Sequence, residues 1–129
     1  MELPIHVVRL LNRSDITKVL GVHKRDGTLD LVPLATIKAP KPDLILLPQD
    51  REREAHDDLT EAMERHQSVS ILCLAHLQDE RQAYQITCVV REYQTAGPLY
   101  EKFLDELRAS YAELQGIWIL EPLSIKAYY

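Results

Sequence analysis

The sequence has little glycine, with four residues among 129. Loops that wrap a phosphate in backbone amides depend on closely spaced glycines, as in the patterns G-x-G-x-x-G and G-x-x-x-x-G-K-[ST]. Neither pattern occurs, and no serine stands in the Gly-x-Ser-x-Gly context of a hydrolase nucleophile. The scarcity of glycine therefore excludes P-loop and Rossmann chemistry more firmly than the missing motifs do.

Cysteine is also scarce, because the chain has only Cys73 and Cys88. Both lie within apolar, β-rich runs, and no C-x-x-C pair or Cys/His cluster has the ligand spacing of a zinc site. The five histidines likewise form no ligand pair. We therefore expect no metal site and predict two buried, free thiols, which are typical of a reducing compartment.

Long apolar runs and basic runs are absent from the sequence. No stretch approaches the ~20 apolar residues that span a bilayer, and the first residues lack the apolar core of a signal peptide. The net charge is −5, which argues against nucleic acid or an anionic membrane as a partner. With 46% hydrophobic and 27% charged residues, the composition predicts one globular domain, residues 1–129, in the cytoplasm.

The residues that are present predict short elements joined by tight turns. Asp26-Gly27 between two β-rich runs is a hairpin signal, because glycine adopts positive φ without steric cost. Pro33 places its strand at an edge, a bulge or a bend. Helices are predicted at 4–11, within 50–66, and from Pro98 to a stop at Gly116. Strands are predicted at 17–23, from Thr28, at 44–47 with an end at Pro48, at 69–75 and at 84–91, followed by a last strand or strand pair at 117–120 and 123–129. A turn is predicted at 39–43.

Most of the predicted strands follow one another through hairpins, so antiparallel pairing dominates. The helices are too few for an alternating α/β sheet. We therefore predict a mainly β fold, a six- to seven-stranded antiparallel barrel with helices packed outside.

The order of these motifs resembles that of the pyridoxamine-phosphate-oxidase-like flavin proteins. The segment from Asp26-Gly27 to Leu34 is similar to that family's Asp-Gly hairpin and Val-Val-Pro-Leu strand. Residues 84–86, Tyr-Gln-Ile, and residues 95–100, Thr-Ala-Gly-Pro-Leu-Tyr, are similar to its Tyr-Gln-Ile and Thr-Asp-Gly-Pro segments. The resemblance covers nearly the whole chain and is strongest to the small FMN-binding proteins of that family.

The resemblance implies a split β-barrel homodimer that binds FMN at the subunit interface. It implies that the strand with Pro33 contacts the isoalloxazine ring, and that the end of the third strand and the following helix hold the phosphate. Thr60 would supply a hydroxyl to the phosphate. The residues that the resemblance assigns to the cofactor are Val32, Pro33, Leu34, Ala35, Thr36, Leu47, Pro48, Gln49 and Thr60.

The chain departs from the family pattern where the phosphate is expected. The family has a Lys or Arg just before the threonine, and this chain has Leu59. The nearest cations are Arg51 and Arg53, one of which would replace the missing base. Alternatively, both are solvated and paired with neighbouring glutamates, an arrangement worth only ~0–1 kcal/mol. Residues 50–67 hold seven acids and three bases, so the negative charge is densest there.

Trp118, the sole tryptophan, has two interpretations: a core residue of a late strand, or a ring at the dimer interface near the partner subunit's flavin. Together these features predict an FMN-binding redox protein, an oxidoreductase or an electron carrier, in which no residue is identified as a catalytic acid or base. The alternative is a degenerate split-barrel dimer that has lost FMN. It would act as a binding or structural module, or take another cofactor such as haem or a deazaflavin.

Overall fold

The computed structural model describes residues 1–34, 36–50, 56–107 and 114–128. Within them lie three helices and seven strands, in the order that the sequence predicts apart from one additional short strand. The elements are α1 (Ile5–Leu11), β1 (Thr17–His23), β2 (Leu29–Leu34), β3 (Lys38–Lys41), β4 (Leu44–Asp50), α2 (His56–Glu64), β5 (Ser68–Leu77), β6 (Glu80–Gln94), α3 (Pro98–Leu107) and β7 (Leu114–Ala127).

The strands form one antiparallel sheet in the order β2-β1-β5-β6-β7-β4-β3. The two edge strands, β2 and β3, are joined by residues 35–37 alone, so the sheet curls until its edges approach each other at this corner. Pro33 lies in the edge strand β2, where its missing N–H costs little, as the sequence predicts. The fold is the predicted mainly β split barrel with flanking helices.

The expected turn at residues 39–43 is shorter than the sequence suggests. Only Pro42 and Asp43 form the turn, because the residues before them make the short strand β3. The prediction that Pro48 ends its strand is also wrong, since β4 continues through it and pairs Pro48 with Ile117 of β7. The pairing of β3 with β4 reaches only Leu46, so Pro48 lies beyond it.

Gly116 does not stop a helix, contrary to the prediction. It lies in β7 opposite Gln49 of β4, and the last described residue of α3 is Leu107. A Cβ at position 116 would collide with the phenol ring of Tyr93. The glycine therefore permits a close approach between β6 and β7. In the sequence, a glycine required by tertiary packing cannot be distinguished from one that ends a helix.

The core lies inside the barrel. Leu20 and Val22 of β1 face it, and the alternation of β6 turns Ile86 and Cys88 the same way. Cys73 and Cys88 are buried and free, which confirms the prediction for the two thiols. The helices α1 and α2 add side chains to this same core, including Leu11 and Leu59.

A second apolar cluster covers part of the outside of the barrel. Phe103 of α3 packs with Leu46 of β4 and with Ile117 and Ile119 of β7, and all four side chains are buried. Burial of a side chain such as phenylalanine contributes about 1.5–3 kcal/mol. This cluster fixes α3 against the outer face of β4 and β7.

The outer face of β1, β2 and β5 is instead open. Across it, Gly21 lies between Leu29 and Leu31, whose side chains remain 54% and 61% exposed. Val19 and Leu72 face each other on β1 and β5 and adjoin the same depression, which has a volume of about 390 Å³. We call this surface the open face, and its exposed leucines are typical of an interaction surface.

Lys18 is a buried exception among the core-facing residues of β1. Its side chain is 2% exposed, and its ammonium donates hydrogen bonds to the carbonyl oxygens of Leu11, at 2.9 Å, and Arg13, at 2.5 Å. The Leu11 carbonyl belongs to the last turn of α1 and the Arg13 carbonyl lies just beyond it, where carbonyl oxygens lack partners within the helix. Lys18 therefore ties the end of α1 to β1.

Replacing this lysine is expected to destabilise the fold. Lys18→Met retains most of the apolar stem but leaves the two carbonyl oxygens without their donor, which costs about 1–3 kcal/mol. The free energy of unfolding in urea measures the loss. Lys41→Met, at an exposed position, is the control and is expected to change stability by less than about 0.5 kcal/mol. Equal effects of the two substitutions would refute the proposed tie.

Candidate functional site

The first group of predicted cofactor residues lies where β2 approaches β3. In β2, Leu34 is buried, Val32 is half-buried against the core and Pro33 is exposed. Thr36 follows the strand and is half-buried, whereas Ala35 lies outside the described residues. Pro33 and Leu31 lie on the same outward face of β2, so this segment connects the corner of the barrel with the open face.

The second group lies on β4 and is tied to β7. Leu47 pairs with Trp118, and Gln49 pairs with Gly116 in the strand register. Gln49 is only 1% exposed, and its side-chain oxygen accepts a hydrogen bond of 2.9 Å from Nε1 of Trp118. A buried amide requires such a partner, because an unpaired polar group in the core is costly.

Trp118 lies in the core, 1% exposed, and this placement favours the first of its two interpretations. Its ring also packs against Tyr93, with 4.4 Å between the ring centroids and 41° between their planes. Burial, with a contribution from Tyr100, raises the pKa of the Tyr93 phenol. The Trp118, Gln49 and Tyr93 cluster is thus a neutral polar core at the end of β4, β6 and β7.

The third group is on α2. Thr60 is half-buried, and the preceding Leu59 is fully buried in the barrel core. A lysine or arginine in place of Leu59 would put its charge among apolar side chains. Leu59 therefore anchors α2 to the barrel, at the position where the resemblance leads us to expect a base.

The start of α2 carries a group of carboxylates. Burial raises the pKa of the Asp58 carboxyl, and Asp30 of β2 adds to the rise because the two carboxyl groups repel and share a hydrogen bond. Glu61 also raises this pKa, whereas Lys24 lowers it. The acidic character predicted around Thr60 therefore includes a residue of β2 as well as those of the helix.

Two cations from the β1–β2 turn face the same helix. Arg25 approaches Glu61 of α2, with 3.4 Å between Nε and Oε1, and its side chain is 73% exposed. Lys24 lies close enough to Asp58 to lower the pKa of that carboxyl. Sequence reasoning missed these two residues, although the basic pair directly before Asp26-Gly27 was a visible signal.

The predicted arginines of the acidic segment, Arg51 and Arg53, lie outside the described residues. The three groups of predicted residues therefore lie at the corner of the barrel, at its buried end and on α2. Of the predicted residues, Gln49 and Trp118 are in direct contact through a hydrogen bond. No group of three metal-ligating side chains occurs among the described residues. No helix in the described ranges is long and apolar enough to cross a membrane.

Solved structures with this architecture cover nearly the whole chain. An FMN-binding protein from Syntrophomonas wolfei subsp. wolfei matches with a TM-score of 0.80 and 12% identity, over 95% of this chain and 83% of that chain. A pyridoxamine 5'-phosphate oxidase-like protein from Lactobacillus delbrueckii matches with a TM-score of 0.68 and 13% identity, over 97% and 93% of the two chains. An F420 reductase matches with a TM-score of 0.67 and 14% identity, over 92% and 94%.

These similarities show the fold, which is the split barrel of the pyridoxamine-phosphate-oxidase-like proteins. No family model matches the chain, and no curated protein matches it. The resemblance noted in the sequence is thus confirmed at the level of architecture.

Proposed function

We propose that the chain is an FMN-binding redox protein that works as a homodimer, with one flavin held at each end of the subunit interface. The observation that carries the proposal is the similarity of 95% of the chain to a solved FMN-binding protein, at a TM-score of 0.80. FMN would supply the redox chemistry, and the chain would supply position and electrostatics. A role as an oxidoreductase or as an electron carrier is compatible with this arrangement.

The open face supports the homodimer. Two exposed leucines, Leu29 and Leu31, flank a depression floored by Gly21, and a second copy would bury them by two-fold packing. Among the described residues, a large cluster of buried side chains packs in the core of the barrel, and a barrel of this size leaves little room for an isoalloxazine ring. A flavin would therefore lie between two chains, beside the segment from Val32 to Thr36.

The turn cations and α2 support a phosphate site. Thr60 would donate its hydroxyl, while Lys24 and Arg25 would bring two positive charges from the β1–β2 turn. A phosphate with nearly two negative charges is held best by such charge-assisted hydrogen bonds. Asp58 and Glu61 oppose the phosphate, so in this proposal Arg25 exchanges its contact with Glu61 for a contact with the ligand.

Titration of FMN against the purified chain tests the proposal, with flavin fluorescence as the signal. Saturable quenching is expected, and FMN should bind more tightly than riboflavin because riboflavin lacks the phosphate. Arg25→Gln is expected to weaken FMN binding about tenfold, since a hydrogen bond to a charged group contributes about 1.5–3 kcal/mol. Asp58→Asn should strengthen binding, because it removes a charge that repels the phosphate.

Arg13→Gln is the matched control. Arg13 is also a surface arginine in an ion pair, with Asp15 at 2.6 Å, but it lies before β1 instead of at the β1–β2 turn. Its substitution should leave the affinity for FMN unchanged. If FMN binds no better than riboflavin, or if Arg25→Gln and Arg13→Gln behave alike, the proposed phosphate site is wrong.

The second candidate is a split-barrel dimer that does not use FMN. The observation that favours it is the carboxylate group of Asp30, Asp58 and Glu61 beside Thr60, together with the buried Leu59. These features suit a ligand with less negative charge than a phosphate monoester, or no ligand. A visible absorption spectrum of the purified protein separates flavin, haem and deazaflavin from an empty protein, and a spectrum without a flavin band that FMN does not restore would favour this candidate.

A further inference from the structure

A groove lies between α3 and the strands β3 and β4, and its lining residues are separate from those of the open face. It consists of two adjoining cavities of about 170 and 290 Å³, which share Lys38, Pro40, Lys102 and Glu106. The smaller cavity has an apolar floor that includes Leu46 and Phe103, both nearly inaccessible to solvent. The groove thus combines an apolar end with a charged rim.

Positive charge dominates this rim. Within the described ranges, Lys38, Lys41 and Lys102 border the groove against one carboxylate, Glu106. Among the described residues, none of the three lysines has an ion pair or a side-chain hydrogen bond. An excess of positive charge at one place is notable in a chain whose net charge is −5.

A fourth cation lies behind the rim. Lys38 is close to the buried Lys18: burial and repulsion from Lys38 lower the pKa of the Lys18 ammonium, whereas Cys73 and Asp15 raise it. The hydrogen bonds of Lys18 are made to carbonyl oxygens, which leave its positive charge in place. The field in the groove therefore favours an anion.

We propose that this groove binds a small organic anion consisting of a carboxylate on an unbranched apolar chain. The apolar chain would cover Leu44, Leu99 and the edge of Phe103, where burial releases water from apolar surface. The carboxylate would accept hydrogen bonds from the ammonium groups of Lys38 and Lys102. None of the residues that line the groove is assigned to the proposed dimer or flavin site, so this inference does not depend on the proposed function.

Isothermal titration of the 129-residue chain with octanoate tests the inference. One saturable site per chain is expected, with weaker binding of octanol and no binding of octylammonium. Lys102→Gln should weaken octanoate binding about fivefold, the equivalent of losing one ion pair of roughly 1 kcal/mol. Lys126→Gln, which removes an exposed lysine of β7 outside the groove, is the control and should leave binding unchanged.

Each of three titration results would overturn the inference: no saturable heat with octanoate, equal affinity for octanol and octanoate, or equal losses in Lys102→Gln and Lys126→Gln. Thermal melting of each variant verifies that it is folded. If octanoate changes the sedimentation of the protein but does not bind at one site per chain, the groove is a contact between copies, and this result also contradicts the inference.

Discussion

A double variant, Leu29→Lys with Leu31→Lys, is expected to sediment as a monomer under conditions where the unaltered chain is a dimer. The two side chains are 54% and 61% exposed in the single chain and lie on either side of Gly21. In a two-fold interface each substitution occurs twice, so four leucines leave the interface and four like charges enter it. The dissociation constant should rise by a factor of at least about 10⁴, from roughly 1.5–3 kcal/mol for each leucine buried.

The control for this experiment is Ile5→Lys. Ile5 of α1 is 60% exposed, so it matches the leucines in exposure and in apolar character, but it is not part of the open face. Its substitution should leave the dimer intact. A double variant that remains dimeric, or a dimer that Ile5→Lys breaks equally well, would show that the interface lies elsewhere. Loss of the dimer should also lower the affinity for FMN, because the proposed flavin site includes both subunits.

Alkaline conditions are expected to destabilise the fold through Cys88. Burial raises the pKa of this thiol to about 12 from the ordinary value of 9.0, and its Sγ donates to the carbonyl oxygen of Ile86 at 3.8 Å. Below pH 9 the thiol is protonated in both the folded and the unfolded chain, so its full contribution to the free energy of unfolding is present. Above this pH the unfolded chain releases the proton and the folded chain retains it, so the free energy of unfolding falls by about 1.4 kcal/mol per pH unit until about pH 12.

The measurement is the free energy of unfolding in urea at several pH values between about 8 and 11, compared with Cys88→Ala. The variant starts from lower stability because of its cavity, but it should lose roughly 3 kcal/mol less between about pH 9 and pH 11. Lys18 and Cys73 also titrate with shifted pKa values, and their contributions are common to both proteins. Parallel curves for the two proteins would show that Cys88 is not held protonated by the fold.

The sequence predicted the barrel because its signals are local. Asp26-Gly27 closes the β1–β2 hairpin, and Pro33 restricts its strand to an edge, a bulge or a bend, of which the structure has the edge. The predictions from Pro48 and Gly116 are wrong because the pairing of β4 with β7 overrides the local preferences of proline and glycine. Pro48 is tolerated in β4 because it lies beyond the pairing with β3, and Gly116 is required because of the Tyr93 ring. Both reasons depend on strands that are distant in the sequence and adjacent in the fold.

The candidate site was less predictable than the fold. Resemblance placed the phosphate near Thr60, but only folding brings Lys24, Arg25 and Asp30 to the helix that carries it. Electrostatic interactions between elements separated by thirty or so residues leave no periodic pattern in a sequence. The buried hydrogen bond between Gln49 and Trp118 is of the same kind, since its partners are 69 residues apart.

Sedimentation velocity of the protein with FMN, recorded at the visible flavin band, tests the central claim most directly. The account predicts that the flavin absorbance moves as one boundary, at the rate expected for two chains of 14.9 kDa each. It also predicts that the Leu29→Lys, Leu31→Lys variant loses this boundary. Flavin absorbance that stays unsedimented, or that moves with a single chain, would contradict a flavin held between two subunits.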